Sequence, residues 1–216
     1  MRLVAATMLR DRKGKAVKTI VLATNNAHKV SEIEGALAMD GWEFKTLRQL
    51  GVMSDPEEDA DTFVGNARIK AFAAHQASGG LAALADDSGI MVDALDGRPG
   101  VYSARYAGEQ CDDEANNDKL LSELANVPWE QRTGRYVCSL VFIDEDGSEL
   151  VAEGTVEGKI GFERRGEGGF GYDPLFYPDK YNGELTFAEV SQGEKAKISH
   201  RGVALRKLAE LIASRG

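Results

Sequence analysis

"RYVCSLVFIDEDGSELVAEGTVEGKI", residues Arg135 to Ile160, decides the fold class. Two runs rich in β-branched and aromatic residues flank Asp146 and Gly147, and an Asp-Gly pair between such runs signals a tight antiparallel hairpin. Upstream the chain instead alternates between strand and helix patterns. A strand is predicted at Thr19–Ala23, then a helix with Val30, Ile33 and Leu37 at helical spacing, and a second strand near Glu43–Leu47. A helix from about Thr62 to Ala77 places Phe63, Ala67, Ala71 and Ala74 on one face, with Asn66 and Lys70 together at i, i+4. An antiparallel hairpin joined to strand–helix units makes the sheet mixed and the class α/β.

Three further segments complete the outline. "LAALADDSGIMVDAL", Leu81–Leu95, reads as strand, acidic turn, strand. "CDDEANNDKLLSELA", Cys111–Ala125, is acidic where a helix would start and apolar at Leu120, Leu121 and Leu124, a structural helix. The last helix, about His200–Ser214, buries Leu205, Leu208 and Ile212 behind Ser199 as N-cap. Residues 1–18 form a basic, disordered extension too weakly apolar for a signal peptide, and 19–216 a single domain.

Composition narrows the function classes. No apolar stretch approaches the roughly 20 residues that span a bilayer, so no membrane is involved. Cys111 and Cys138 show no metal spacing and read as buried free thiols, which fits a reducing cytoplasm. The net charge is −9, but the first 18 residues hold six Lys or Arg against one acid. The remainder therefore carries 20 basic and 34 acidic side chains, a charge of −14. Such a body repels a nucleic acid polymer, and a phosphate-bearing partner has to be small and held by a local cation cluster with a metal.

"VLATNNAHKVSEIEGAL", Val21–Leu37, is strand, polar turn, helix, and a helix N-terminus offers free amides to an anion. Lys29 has the wrong sign for that first turn, a misfit of about 0.3–1 kcal/mol that a bound anion reverses. Alone, the stretch still reads as a helix capped by Asn26. In "EKAKISHRGVALRKL", Lys195, Lys197, His200 and Arg201 crowd the entry to the last helix, a second set of misplaced cations. Lys197 by itself is a surface charge.

In "ADDSG", Ala85–Gly89, adjacent carboxylates sit where an apolar strand ends. Neighbours on an extended chain point to opposite faces, so one of Asp86 and Asp87 faces a cleft, holding Mg²⁺ or activating water, while the other supports the loop. A solvated Asx turn stays open as the alternative. The acidic run "DPEEDAD" is a solvated loop from which Glu58 can reach a metal. "RRGEGGFGYDPLFY" offers Phe170 and Tyr172 as a stacking face beside Asp173, or equally a loop anchored to the core by its aromatics.

Taken in order, "TNNAHK", "NARIKA", "ADDSG", "PGVYSARYAG", "GGFGYDPLF" and "EKAKISHRGVAL" resemble the inosine triphosphate pyrophosphatase family, the XTP/dITP diphosphatases, from about Thr19 to the last helix. The resemblance implies a Mg²⁺-dependent hydrolase that cuts between the α- and β-phosphates of (deoxy)ITP and XTP. It implies a long, curved mixed sheet flanked by helices in two lobes with a central cleft, and a homodimer. Carried onto matching positions, Thr24, Asn25, Asn26, Ala27, His28 and Lys29 bind the triphosphate, and Lys70 reaches it. Asp87 is the metal-binding general base, with Ser88 beside it. Phe170, Gly171, Tyr172 and Asp173 hold the purine, and Lys195, His200 and Arg201 complete the phosphate and base contacts.

Two positions depart from the family's pattern. "FVGNA" has Gly65 where many members carry a glutamate, which leaves Asp87 and Glu58 as the metal ligands, and Asn25 stands where a glycine is common. A Maf-like pyrophosphatase for other modified nucleotides and a nucleotide-binding regulator without catalysis are the alternative functions. On the enzyme reading, Asp87→Asn abolishes turnover and Asp86→Asn does not.

Overall fold

The computed structural model describes residues 17–24, 26–37, 41–108 and 111–215. Residues 1–16 of the extension expected at 1–18, and the site residue Asn25, lie outside them. The hairpin at Arg135–Ile160 is the spine of the sheet: β4 (Thr133–Ile143) and β5 (Glu149–Ile160) pair antiparallel along their whole length. The Asp-Gly signal closes it, with Gly147 N donating to Asp144 O at 2.9 Å.

β1 (Lys18–Leu22) begins one residue before the expected domain boundary and lies parallel to both β2 (Trp42–Thr46) and β3 (Ala82–Val92). β3 then pairs antiparallel with β4, and the short β6 (Phe176–Pro178) with β5, giving the order β2-β1-β3-β4-β5-β6. The sheet is mixed, as expected. β3 corrects the reading of Leu81–Leu95 as strand, turn, strand. Its pairing to β4 runs unbroken from Ala83 to Val92, and this ladder holds Asp86 and Asp87 in extended backbone despite their low strand propensity.

The helices lie where their apolar stripes require. α1 (Ala27–Ala36) and α5 (His200–Ala213) bury Ile33, Leu205 and Leu208 on one face against Leu22, Leu84 and Phe142. α2 (Phe63–Ala77) lays Ala67, Ala71 and Ala74 on the other face against Val21, Ala83 and Val141. A separate cluster around Ile90, Tyr136, Phe176 and Leu120 of α3 (Asp113–Glu123) fills the far half of the long strands. The sheet thus carries two lobes. Gly154 seats α5 on β5: a Cβ there would stand 2.1 Å from His200 O.

Cys138 is buried as expected, but Cys111 is exposed, and both are free. Cys111 stands in the loop before α3, outside the regular elements. Among the described residues no helix is long and apolar enough to cross a membrane.

Candidate active site

β1 accompanies β3 only from Ala82 to Leu84, opposite Ile20–Leu22. Past that point the two chains diverge and a cleft opens beside Ala85–Ser88. Because the connection from β1 runs to β2 on one side while β3 lies on the other, this is the switch point of the sheet, where α/β folds bind ligands. The pleat then divides the two carboxylates: Asp86 faces α1 and α5, and Asp87 faces α2.

Asp86 is fully buried and gathers four donors. Lys29 Nζ donates to it at 2.5 Å, Arg201 Nε at 2.8 Å, Ser88 Oγ at 3.0 Å and Cys138 Sγ at 3.1 Å. Burial alone would push this carboxyl up, but Arg201 and Lys29 together hold it well below the usual carboxylate range. Arg201 also donates to Glu32 through Nη1 (2.5 Å) and to Ser88 Oγ through Nη2 (2.9 Å). Both misplaced cations therefore already have a partner inside the protein. Asp86 supports this cluster and not a loop, which corrects the reading of its role.

Asp87 behaves differently. Lys70 Nζ donates to its Oδ1 at 2.8 Å and bridges to Glu58 at 2.8 Å. Oδ2 is buried and has no hydrogen-bond partner among the described residues. Burial raises the Asp87 pKa against the pull of Lys70. Gly65 accounts for how Glu58 arrives. A Cβ at Gly65 would meet the Ala60 side chain at 2.6 Å, so the glycine lets the loop carrying Glu58 close on the start of α2. Asn66 Oδ1 fixes that loop by accepting from Ala60 N.

Two adjoining cavities result. The larger, about 440 Å³, is lined by Thr24, Glu58, Lys70, Asp86, Asp87 and Ser88 among others. The smaller, about 200 Å³, is lined by Tyr136, Phe170, Tyr172, Asp173, Lys195 and His200. Asn26, Lys29, Ser88 and Ala104 border both. Ala27 lines neither. The N-terminal amides of α1, expected to meet phosphate, are taken by Asn26, whose Oδ1 accepts from His28 N (2.9 Å) and Lys29 N (3.2 Å).

The smaller cavity has aromatic faces and fixed polar groups. Lys195 Nζ donates to Asp173 at 2.5 Å, and Phe170 N donates to the same carboxylate at 2.9 Å. Burial raises the Asp173 pKa despite Lys195. Lys195 belongs to α4 (Gln192–Ile198) and is buried, whereas Lys197 is an exposed surface charge. His200 lies flat on Tyr136 at 4.6 Å, its Nδ1 buried and unpartnered among the described residues. Burial and the adjacent Arg201 hold that imidazole well below its ordinary pKa, so it is neutral. Phe170 stacks on His28 at 5.2 Å, and Tyr172 turns its hydroxyl away to donate to Ser103 O at 2.8 Å. Gly171 joins the lining through its backbone.

Glu32 and Tyr136 were not foreseen, and Cys138 was expected as a buried thiol but not as a partner of Asp86. Glu32 lies one turn after Lys29 on the same face of α1, the one signal that marks it. Among the described residues no cluster of three or more His, Cys, Asp or Glu is disposed to hold a metal.

A model of the Ham1 family matches residues 20–211. The chain belongs to the Ham1 family. It is 50% identical over 193 residues to the dITP/XTP pyrophosphatase of Desulforamulus reducens, covering 89% of this chain and 94% of the relative. It is likewise 50% identical over 191 residues to that of Haemophilus influenzae, covering 88% and 96%. The Ham1 protein of Staphylococcus aureus superposes with a TM-score of 0.83 at 39% identity, covering 92% of this chain and 100% of that one. Ham1 members thus share the mixed sheet and its helices with this chain.

Proposed function

We propose that this Ham1-family chain hydrolyses dITP, ITP and XTP to the monophosphate and pyrophosphate, removing altered purines from the nucleotide pool. The observation that carries the reading is the pairing of cavities across Lys29 and Ser88. One ends in hard carboxylates, the other in an aromatic slot with a fixed donor beside a fixed acceptor. A 6-keto purine presents an acceptor at O6 and a donor at N1. Lys195 and Asp173 match that order, and adenine, which reverses it, would leave buried groups unpaired.

Charge balance supports Mg²⁺. Five cations, Lys29, Lys70, Arg105, Lys195 and Arg201, face seven carboxylates, Glu32, Asp55, Glu58, Asp86, Asp87, Asp113 and Asp173, along the two cavities. The cleft is therefore not positive enough by itself to receive a triphosphate, and a cation has to come with the substrate. The unpartnered Oδ2 of Asp87 and the carboxylate of Glu58 are the hard oxygens suited to hold it, since Mg²⁺ takes one or two carboxylates plus substrate phosphates. When bound, Mg²⁺ would neutralise phosphate charge and favour departure of pyrophosphate. Asp87 takes the proton of the water that attacks the α-phosphorus, and the bond from that phosphorus to the bridging oxygen breaks. Lys70 keeps Asp87 ionised and aimed, while Lys29 and Arg201 flank the nucleotide from the opposite side. A homodimer in the cytoplasm belongs to the same reading, supported by the family resemblance and the two free thiols.

A regulator without catalysis is disfavoured because Asp87, Glu58 and Lys70 are assembled in one cluster. The test is a nucleoside triphosphate panel with Mg²⁺. Pyrophosphate release from dITP and XTP at rates at least tenfold above ATP and GTP is expected. Orthophosphate release, or equal rates on ATP and GTP, would overturn it.

A further inference from the structure

The acidic, asparagine-bearing start of α3 does more than pack its leucines. Asn116, 2% exposed, accepts from Ala107 N at 2.7 Å and donates to Ala104 O at 2.9 Å. It thereby holds the 3-10 turn at Gly100–Arg105, whose Ser103 and Ala104 line the smaller cavity. The next residue, Asn117, 1% exposed, donates to Gly171 O at 2.9 Å. Asp113, one turn earlier, accepts from Gly171 N at 2.8 Å. Both backbone polar atoms of Gly171 are thus gripped by one helix. Phe170 and Tyr172, its neighbours, line the same cavity as the 3-10 turn, and the Tyr172 hydroxyl ties to that turn by donating to Ser103 O.

Asn117 Oδ1 has no partner among the described residues. A buried unpaired acceptor costs stability, and an apolar residue would avoid that cost. What the amide supplies instead is its donor to Gly171 O. Adjacent side chains on one helix therefore fasten two segments of the cavity lining to a common rigid element.

We propose that Asn116, Asn117 and Asp113 are positioning residues that set the width of the base cavity and through it the preference for hypoxanthine over guanine, which shares the keto face but adds a 2-amino group. The inference rests on the altered-purine reading of that cavity. A wall free to shift by an ångström would misalign Asp173 and the Phe170 ring against the base. Phosphate contacts, borne by the other cavity, would be spared.

The test compares Asn117→Asp, Asp113→Ala and Asp113→Asn in the full chain. Asn117→Asp replaces the donor by an acceptor of the same shape, and Asp113→Asn keeps an oxygen able to accept from Gly171 N. Steady-state constants for dITP and dGTP are measured with inhibition by tripolyphosphate, a probe of the phosphate half alone. Asn117→Asp and Asp113→Ala are expected to raise KM for dITP about tenfold, with kcat within about threefold. They should also cut the dITP-to-dGTP ratio of kcat/KM about tenfold and leave tripolyphosphate inhibition unchanged. Asp113→Asn should restore both values. Unchanged KM and ratio in Asp113→Ala, which is exposed and expected to fold, would overturn the proposal. A parallel loss of dITP turnover and tripolyphosphate inhibition in both variants would overturn it too. A wild-type enzyme without preference for dITP over dGTP would instead defeat the underlying reading.

Discussion

Arg201 and Asp86, 115 residues apart in sequence, close on each other in the interior, with Nε donating to Oδ2 at 2.8 Å and side chains 2% and 0% exposed. The pair ties the N-terminus of α5 to the centre of β3 and borders both cavities. Removing one partner leaves buried cations unpaired, which costs about 3–5 kcal/mol. Asp86→Asn should therefore lower Tm by roughly 6–20 °C, at about 2–4 °C per kcal/mol for a chain of this size. Thermal unfolding within about 2 °C of wild type would show that the pair does not hold the lobe.

Asp87→Asn should do the reverse. Burial opposes the charge of Asp87, so neutralising it costs little stability. Loss of a general base removes about 10²–10⁴ in rate. A kcat lowered at least about 100-fold with Tm unchanged is expected, measured by pyrophosphate release and unfolding on the same preparation. The simple sequence expectation that Asp86→Asn spares activity now applies only to the fraction that remains folded.

Glu58→Gln tests the metal reading. The amide still accepts from Lys70 but is a poorer ligand for a hard cation. The Mg²⁺ concentration for half-maximal rate should rise about tenfold, with kcat at saturating Mg²⁺ largely restored. An unchanged Mg²⁺ titration would remove Glu58 from the ligand set.

His200 sets a pH dependence of stability. Its folded pKa lies well below the ordinary 6.5, so the unfolded chain takes up this proton first. The contribution is fully present above about pH 6.5 and is lost as pH falls through the folded value, at up to about 1.4 kcal/mol per pH unit. Urea unfolding at pH 7.5, 6.5 and 5.5 should show a decline that flattens in His200→Gln. Equal slopes in the two proteins would contradict the buried neutral imidazole.

Gly154→Ala should destabilise the protein by about 1–3 kcal/mol or more, because its Cβ would press on the first turn of α5. Denaturant titration reads it directly.

Local signals carried most of the fold. The Asp146-Gly147 turn, the Ser199 cap and the apolar spacing of α2 and α5 depend on neighbours in sequence, and each lies where expected. Asp86 and Asp87 misled because a low strand propensity is overridden by a ten-residue ladder to β4 that no local pattern announces. The cations at Lys29 and Arg201 stood out as misfits to their helices, but their shared partner Asp86 is distant from both in sequence. The same distance hid the grip of Asp113 and Asn117 on Gly171, so α3 looked structural only.

The central claim is attack of water on the α-phosphorus under Asp87. Hydrolysis of dITP in oxygen-18 water, followed by mass analysis of both products, tests it most directly. One labelled oxygen in the monophosphate and none in pyrophosphate is the predicted result; label in pyrophosphate or in orthophosphate would contradict it.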